Sequence, residues 1–206
     1  MRKILFILVL VLSNMLWSQK SDSEIINEDT KAFMTKFQNN DFDGILDMTH
    51  PAIFEKVDKK DLKALFQKML EENEDFKMEL INQKDITFET SKVFVDGKTK
   101  YAFITHPLNM KMTFKNQQFD ESQKEMMLTM MAAQGLKAKF ISENSLEINK
   151  QSMMIAMNDS ATKNQWKYLN FDESNPMYAS VVPAEIMKKA KSYYADFLIK
   201  NKENAN

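Results

Sequence analysis

The feature that most constrains this chain is a change of hydrophobic period near Asp75. Before that residue apolar side chains recur every three or four positions, and after it they alternate. A period near 3.6 gathers apolar groups on one stripe of a helix, and a period of 2 gathers them on one face of a strand. A chain that spells helices first and strands afterwards must lay the helices against the sheet, because neither hides its apolar side alone. The expected class is therefore α+β.

Ser21 and Glu24 have capping-box spacing, and Ile26, Thr30, Phe33, Met34 and Phe37 follow at helical intervals, which predicts a helix over 23–38. Phe42, Ile45, Leu46 and Met48 suit a short second helix that His50-Pro51 ends, since proline disfavours helical geometry just before it. Leu62, Leu65, Phe66, Met69 and Leu70 give the stripe of a third. Phe76, Met78 and Leu80 then alternate as in a strand. Val93-Phe94-Val95, Asp96-Gly97 and 101–104 spell a hairpin, with the tight turn at Asp-Gly. The second arm runs on through Leu108, Met110, Met112 and Phe114, where Pro107 predicts a bulge or an edge position. Asp120, Gln123, four methionines and Gly135 predict an inserted helix capped at both ends. Strands over 136–142, 152–157 and 165–170 follow, then a helix opened by Pro183 and carrying Ile186, Ala190, Tyr193 and Phe197. Residues 199–206 read as a polar tail.

The order of elements resembles the NTF2-like (cystatin-like, SnoaL-like) superfamily over most of residues 22–171. Local phrases carry the resemblance: Phe42-Asp43-Gly44-Ile45-Leu46-Asp47, the following His50-Pro51, and Trp166-Lys167-Tyr168-Leu169 in the last strand. It implies N-terminal helices packed on a curved, mainly antiparallel sheet that forms a cone, with the Met-rich and C-terminal helices as departures from the minimal pattern. The superfamily hosts isomerases, cyclases, dehydratases and binding proteins, so fold leaves function open. Dimers are common in it, which makes a homodimer an implication of the resemblance.

Composition removes whole classes of chemistry. The chain has no cysteine, which excludes disulfides, thiolate metal sites, cysteine nucleophiles and the lipidated cysteine of a lipoprotein. Its three glycines form neither a dinucleotide fingerprint nor a phosphate loop, and its two histidines, His50 and His106, make no three-histidine zinc site. Arg2-Lys3 and the apolar run over 4–12 read as a secretory signal cut near Ser18–Gln19, too short to span a bilayer. Removing residues 1–18 leaves one domain over 19–198 plus the tail. It also leaves 26 basic against 29 acidic side chains, a net −3 that offers phosphates no basic surface. Expected, then, is an extracytoplasmic protein, periplasmic or secreted, with no cofactor, no nucleic-acid partner and no stable membrane span.

Three groups of residues carry what chemistry the sequence offers. His50 and His106, each preceding a proline, would converge in a cone with Tyr101 and Asp47 as base and hydroxyl donor for acid–base chemistry; the plainer reading is histidines that satisfy local backbone groups. Met110 and Met112 on a strand and Met126, Met127, Met130 and Met131 on a helix are adaptable core, a surface for apolar ligands or partners, or soft ligands for Cu(I). Trp166 and Tyr168 share a strand face and would line the cone. Asn39, Asp41, Asp43 and Gly44 mimic half a calcium loop, but His50 stands where its bidentate glutamate belongs, so a helix cap at Asp41 explains them better and no metal is expected. The acidic run over 71–75 reads as a solvated helix end. The expected function is non-catalytic binding of a small apolar ligand or an envelope protein through Met110, Met112, Met127, Met130, Met131, Trp166 and Tyr168; the alternatives are a lyase or isomerase using His or Asp, and Met-based Cu(I) binding.

Overall fold

The computed structural model describes residues 20–70, 74–81, 87–172 and 176–203. The segment over 1–18 expected to be a secretory signal, residues 71–73 of the acidic run and the last three residues lie outside it.

The sheet is built on two long strands, β4 (Thr99–Phe114) and β6 (Ser145–Asn158), here numbered within the set β1 (Phe76–Leu80), β2 (Glu89–Thr90), β3 (Phe94–Asp96), β5 (Lys137–Phe140) and β7 (Lys167–Asn170). β4 and β6 pair antiparallel from Lys100↔Asn158 to Thr113↔Ser145 without a slip. β1 takes the far part of the free edge of β4, and β2 and β3 take the near part. β5 and β7 divide the free edge of β6 in the same way. The result is one seven-stranded antiparallel sheet that is curved and not closed.

Alternation then sorts the side chains. Even-numbered residues of the near half, Ala102, Ile104, Met154 and Ala156, pack with Trp166 and Tyr168 against Ile26 and Met34 of α1 (Asp22–Gln38). Odd-numbered residues, Tyr101, Phe103, Met153, Ile155 and Met157, pack on the opposite face against Val182, Ile186 and Ala190. The last two belong to α6 (Ala184–Glu203), which follows the short α5 (Pro176–Val181). The near half is thus covered on both faces. Phe103 is fully buried, with its ring 4.9 Å from that of Tyr193 on α6 and 5.6 Å from that of Tyr101. Beyond Pro107 the even face stays apolar, with Met78, Leu80, Met110, Met112, Leu146 and Ile148. The odd face becomes polar, with Asn109, Lys111, Glu147 and Asn149.

Several local expectations meet a definite answer. The capping boxes Ser21/Glu24 and Asp120/Gln123 both form, and Asp41 caps α2 (Phe42–Met48) through Gly44 N–H at 2.9 Å. The hairpin turn is one residue later than Asp-Gly: Asp96 pairs with Thr99, so Gly97-Lys98 is the two-residue turn, and Gly97 supplies the positive φ of 57°. Pro107 makes no bulge, because its register with Gln151 is continuous. The edge reading holds locally: Phe103 O accepts from Ser91 N and Asn109 O from Ile81 N, so odd residues of β4 direct their backbone groups to that free edge. Pro107 falls between the two partners there, and among the described residues no acceptor on that edge calls for its missing N–H. α6 continues to Glu203, past the point where a polar tail was read. The third helix, α3 (Lys59–Leu70), leaves Leu65 of its apolar stripe 56% exposed. None of the helices in the described residues is long and apolar enough to cross a membrane.

Candidate functional site

The inserted helix, α4 (Glu121–Ala133), decides what the methionines do. It ends at Gly135, whose φ of 75° turns the chain back into β5. No residue of α4 is buried. Phe119, just ahead of the helix, anchors it: its ring meets those of Phe114 at 4.9 Å and Phe140 at 5.5 Å. Met127 and Met131, four apart, are half-buried, and Met126 and Met130, also four apart, are 62% and 59% exposed. With Phe114 and Phe119 these four line a groove of about 420 Å³. Met110 and Met112 lie half-buried on the apolar sheet face and do not line that groove. Met153, Met154 and Met157, close together in sequence, are separated by alternation: Met153 and Met157 pack under α6, Met154 under α1.

The residues named for acid–base chemistry are not brought together. His50 is 2% exposed and works locally: its backbone N–H donates to Tyr168 O, its Nδ1 accepts from Ala52 N–H at 3.3 Å, and Nε2 lies 3.2 Å from Asp159 Oδ2. Because Nδ1 accepts, Nε2 carries the proton and donates to Asp159. The imidazole thereby caps the 3₁₀ turn Pro51–Glu55 and ties it to the end of β6. His106 faces the α1 side of the sheet opposite Ser152, seven residues back along β6 from Asp159, or about 23 Å at ~3.3 Å per residue. Burial pushes its pKa down against a hydrogen bond from Nδ1 to Pro107 O. Tyr101 points to the other face, stacked on Phe94 at 5.4 Å, with burial and then Asp96 raising its pKa. Asp47 is an exposed partner of Lys59, which holds its carboxyl below the usual range. Convergence of these four in one cone is therefore corrected: alternation separates Tyr101 from His106, and the cap fixes His50 at a distance.

Trp166 and Tyr168 do share a surroundings, as their spacing suggested, but it is the core under α1 and is separate from the methionine groove. The Trp166 indole N–H is buried with no hydrogen-bond partner on the protein, whereas the buried Tyr168 hydroxyl lies beside the Asp29 carboxyl. A buried donor left without a partner costs roughly 1–3 kcal/mol. Asp29 of α1 neighbours them. Burial raises its pKa against the pull of the Tyr168 hydroxyl and Lys167, and burial with the Asp29 charge raises that of Tyr168 in turn. Asp29 was not singled out from the sequence, although an acid between Ile26 and Phe33 in the apolar stripe was a usable signal. No cluster of three or more His, Cys, Asp or Glu side chains that could hold a metal occurs among the described residues. No protein-family model matches the chain, and no curated protein matches it.

Proposed function

We propose that the protein is an exported, NTF2-like binding protein that holds a small apolar ligand in the groove of α4 without chemical conversion of it. The observation that carries the reading is the pair Met126 and Met130, exposed to 62% and 59% above an aromatic floor of Phe114 and Phe119. Isolated apolar residues are ordinary on a surface; an apolar patch with a concave centre is what a ligand site offers. The groove's 420 Å³ falls within the ~300–1,000 Å³ of small-molecule sites, and unbranched thioethers repack around different shapes. The helical layer of α1 against an antiparallel sheet supports the NTF2-like resemblance, and the charged and apolar segments of residues 2–12 support export.

The test is titration with 1-N-phenylnaphthylamine, an uncharged apolar fluorophore. The expected result is saturable fluorescence enhancement that Met126→Glu with Met130→Glu abolishes, with melting unchanged because both sites are exposed. Absence of saturable uptake, or equal uptake by the charged variant, overturns the reading. N-terminal sequencing of the exported protein tests cleavage near Ser18.

A further inference from the structure

A second cleft, sharing no lining residue with the methionine groove, opens beside the first turns of α1 and holds about 760 Å³. One wall is the α1 stripe Asp22, Ile25 and Asp29; the others include Lys98 and Lys100 at the start of β4 and Trp166-Lys167 leading into β7. Two independent observations single it out. The first is Trp166, 6% exposed, whose indole N–H has no acceptor on the protein while the residue lines the cleft. The second is charge: three ammonium groups face two carboxylates. Lys100 is engaged by Asp22 at 2.8 Å, whereas Lys167 donates to the neutral carbonyl of Asp47 at 2.7 Å and Lys98 meets no carboxylate among the described residues. The Trp166 ring and two lysines without a salt-bridge partner among the described residues therefore border one cleft, which carries one cation in excess, with Ile25 and Met48 adding apolar surface.

We propose that this cleft binds a small organic monocarboxylate, its carboxylate accepting from Trp166 Nε1–H and set between Lys98 and Lys167, its carbon skeleton against Ile25 and Met48. A single negative charge suits a wall with one cation in excess. A dianion such as phosphate would meet Asp22 and Asp29 with twice the repulsion and gain nothing from the apolar side chains.

The chain holds two tryptophans, Trp17 and Trp166, so the full chain carrying Trp17→Phe reports on Trp166 alone. Cyclohexanecarboxylate, which does not absorb at the excitation wavelength, is expected to change its emission saturably, whereas cyclohexanecarboxamide does not. Lys98→Gln with Lys167→Gln should weaken binding by about tenfold or more, as loss of charge-assisted contacts does. Trp166→Phe, followed calorimetrically, keeps an aromatic ring and loses the donor, and should weaken binding as well. No saturable response up to tens of millimolar, an equal response to the amide, a response to inorganic phosphate as strong as to the carboxylate, or unchanged affinity in the lysine variant would each overturn the proposal. Its failure leaves the methionine groove untouched, because the two sites share no residue.

Discussion

His50→Ala separates a structural histidine from a reactive one, and the structure lets the loss be worked out. The imidazole is 2% exposed and makes two side-chain hydrogen bonds. The cap on Ala52 N–H is long at 3.3 Å and is worth about 0.5–1 kcal/mol. The Nε2–H bond to the Asp159 carboxylate, with Asp159 itself mostly shielded, adds about 1.5–2 kcal/mol. Emptying the ring's volume costs about 1–2 kcal/mol more. The sum is near 4 kcal/mol, which for a domain of this size lowers the melting temperature by roughly 8–16 °C. Asp159→Asn is the partner perturbation. It keeps an oxygen for Thr162 N–H, which Asp159 Oδ1 accepts at 3.0 Å, and sets an amide N–H₂ against Nε2–H. The ring cannot switch tautomer to relieve that clash without giving up Ala52. A double-mutant cycle by chemical denaturation should give a coupling of about 1–2 kcal/mol. If His50→Ala melts within a degree or two of the parent, or the cycle shows no coupling, the cap-and-tie account is wrong and a role for the free imidazole regains its place.

Three further outcomes follow from burial and charge. His106, whose folded pKa is depressed by burial, contributes stability that is present above the unfolded value of 6.5 and is lost as pH falls through the folded value; the unfolding free energy of the parent relative to His106→Asn should therefore drop between pH 7 and 5 in urea titrations. Asp29 has the opposite sign: its raised folded pKa means that the folded state loses stability as pH rises above 3.8, so Asp29→Asn should be as stable as the parent or more so at pH 7, and that difference should vanish in acid. Phe119→Ala removes a 6% exposed ring between Phe114 and Phe140 and should cost about 3–5 kcal/mol, read from the denaturation midpoint, and should loosen α4 enough to abolish fluorophore uptake.

Local signals in this chain were dependable where the cause was local. Ser21, Asp41, Asp120 and Gly135 cap helices because capping uses a side chain or a backbone torsion within three residues of the helix end. The strand over 101–114 was legible as alternation, and Pro107 was rightly read as an edge signal, though the bulge was not needed once the free edge of β4 changed partner there. β6 starts earlier than the strand read over 152–157, at Ser145, because Asn149 and Gln151 look like a turn in sequence and are the polar face of a sheet in space. Asp159 as the partner of His50 was not legible, since 109 residues separate them.

The sequence by itself determined the class: helices first, then an antiparallel sheet, because hydrophobic period is a property of neighbouring residues and selects helix or strand without reference to the rest of the chain. Alternation marked two faces of β4, but it took the unbroken register from Tyr101 to His106 in the folded sheet to put those two on opposite sides, against the convergence expected of them. Only the tertiary structure decided which layer covers each face, because that depends on where α1, α4 and α6 dock. The same docking leaves Met126 and Met130 in the open while Met127 and Met131 turn inward, and it closes Trp166 under α1 without giving its indole N–H a partner. Both outcomes are set by packing across long sequence separations, and no periodicity records them.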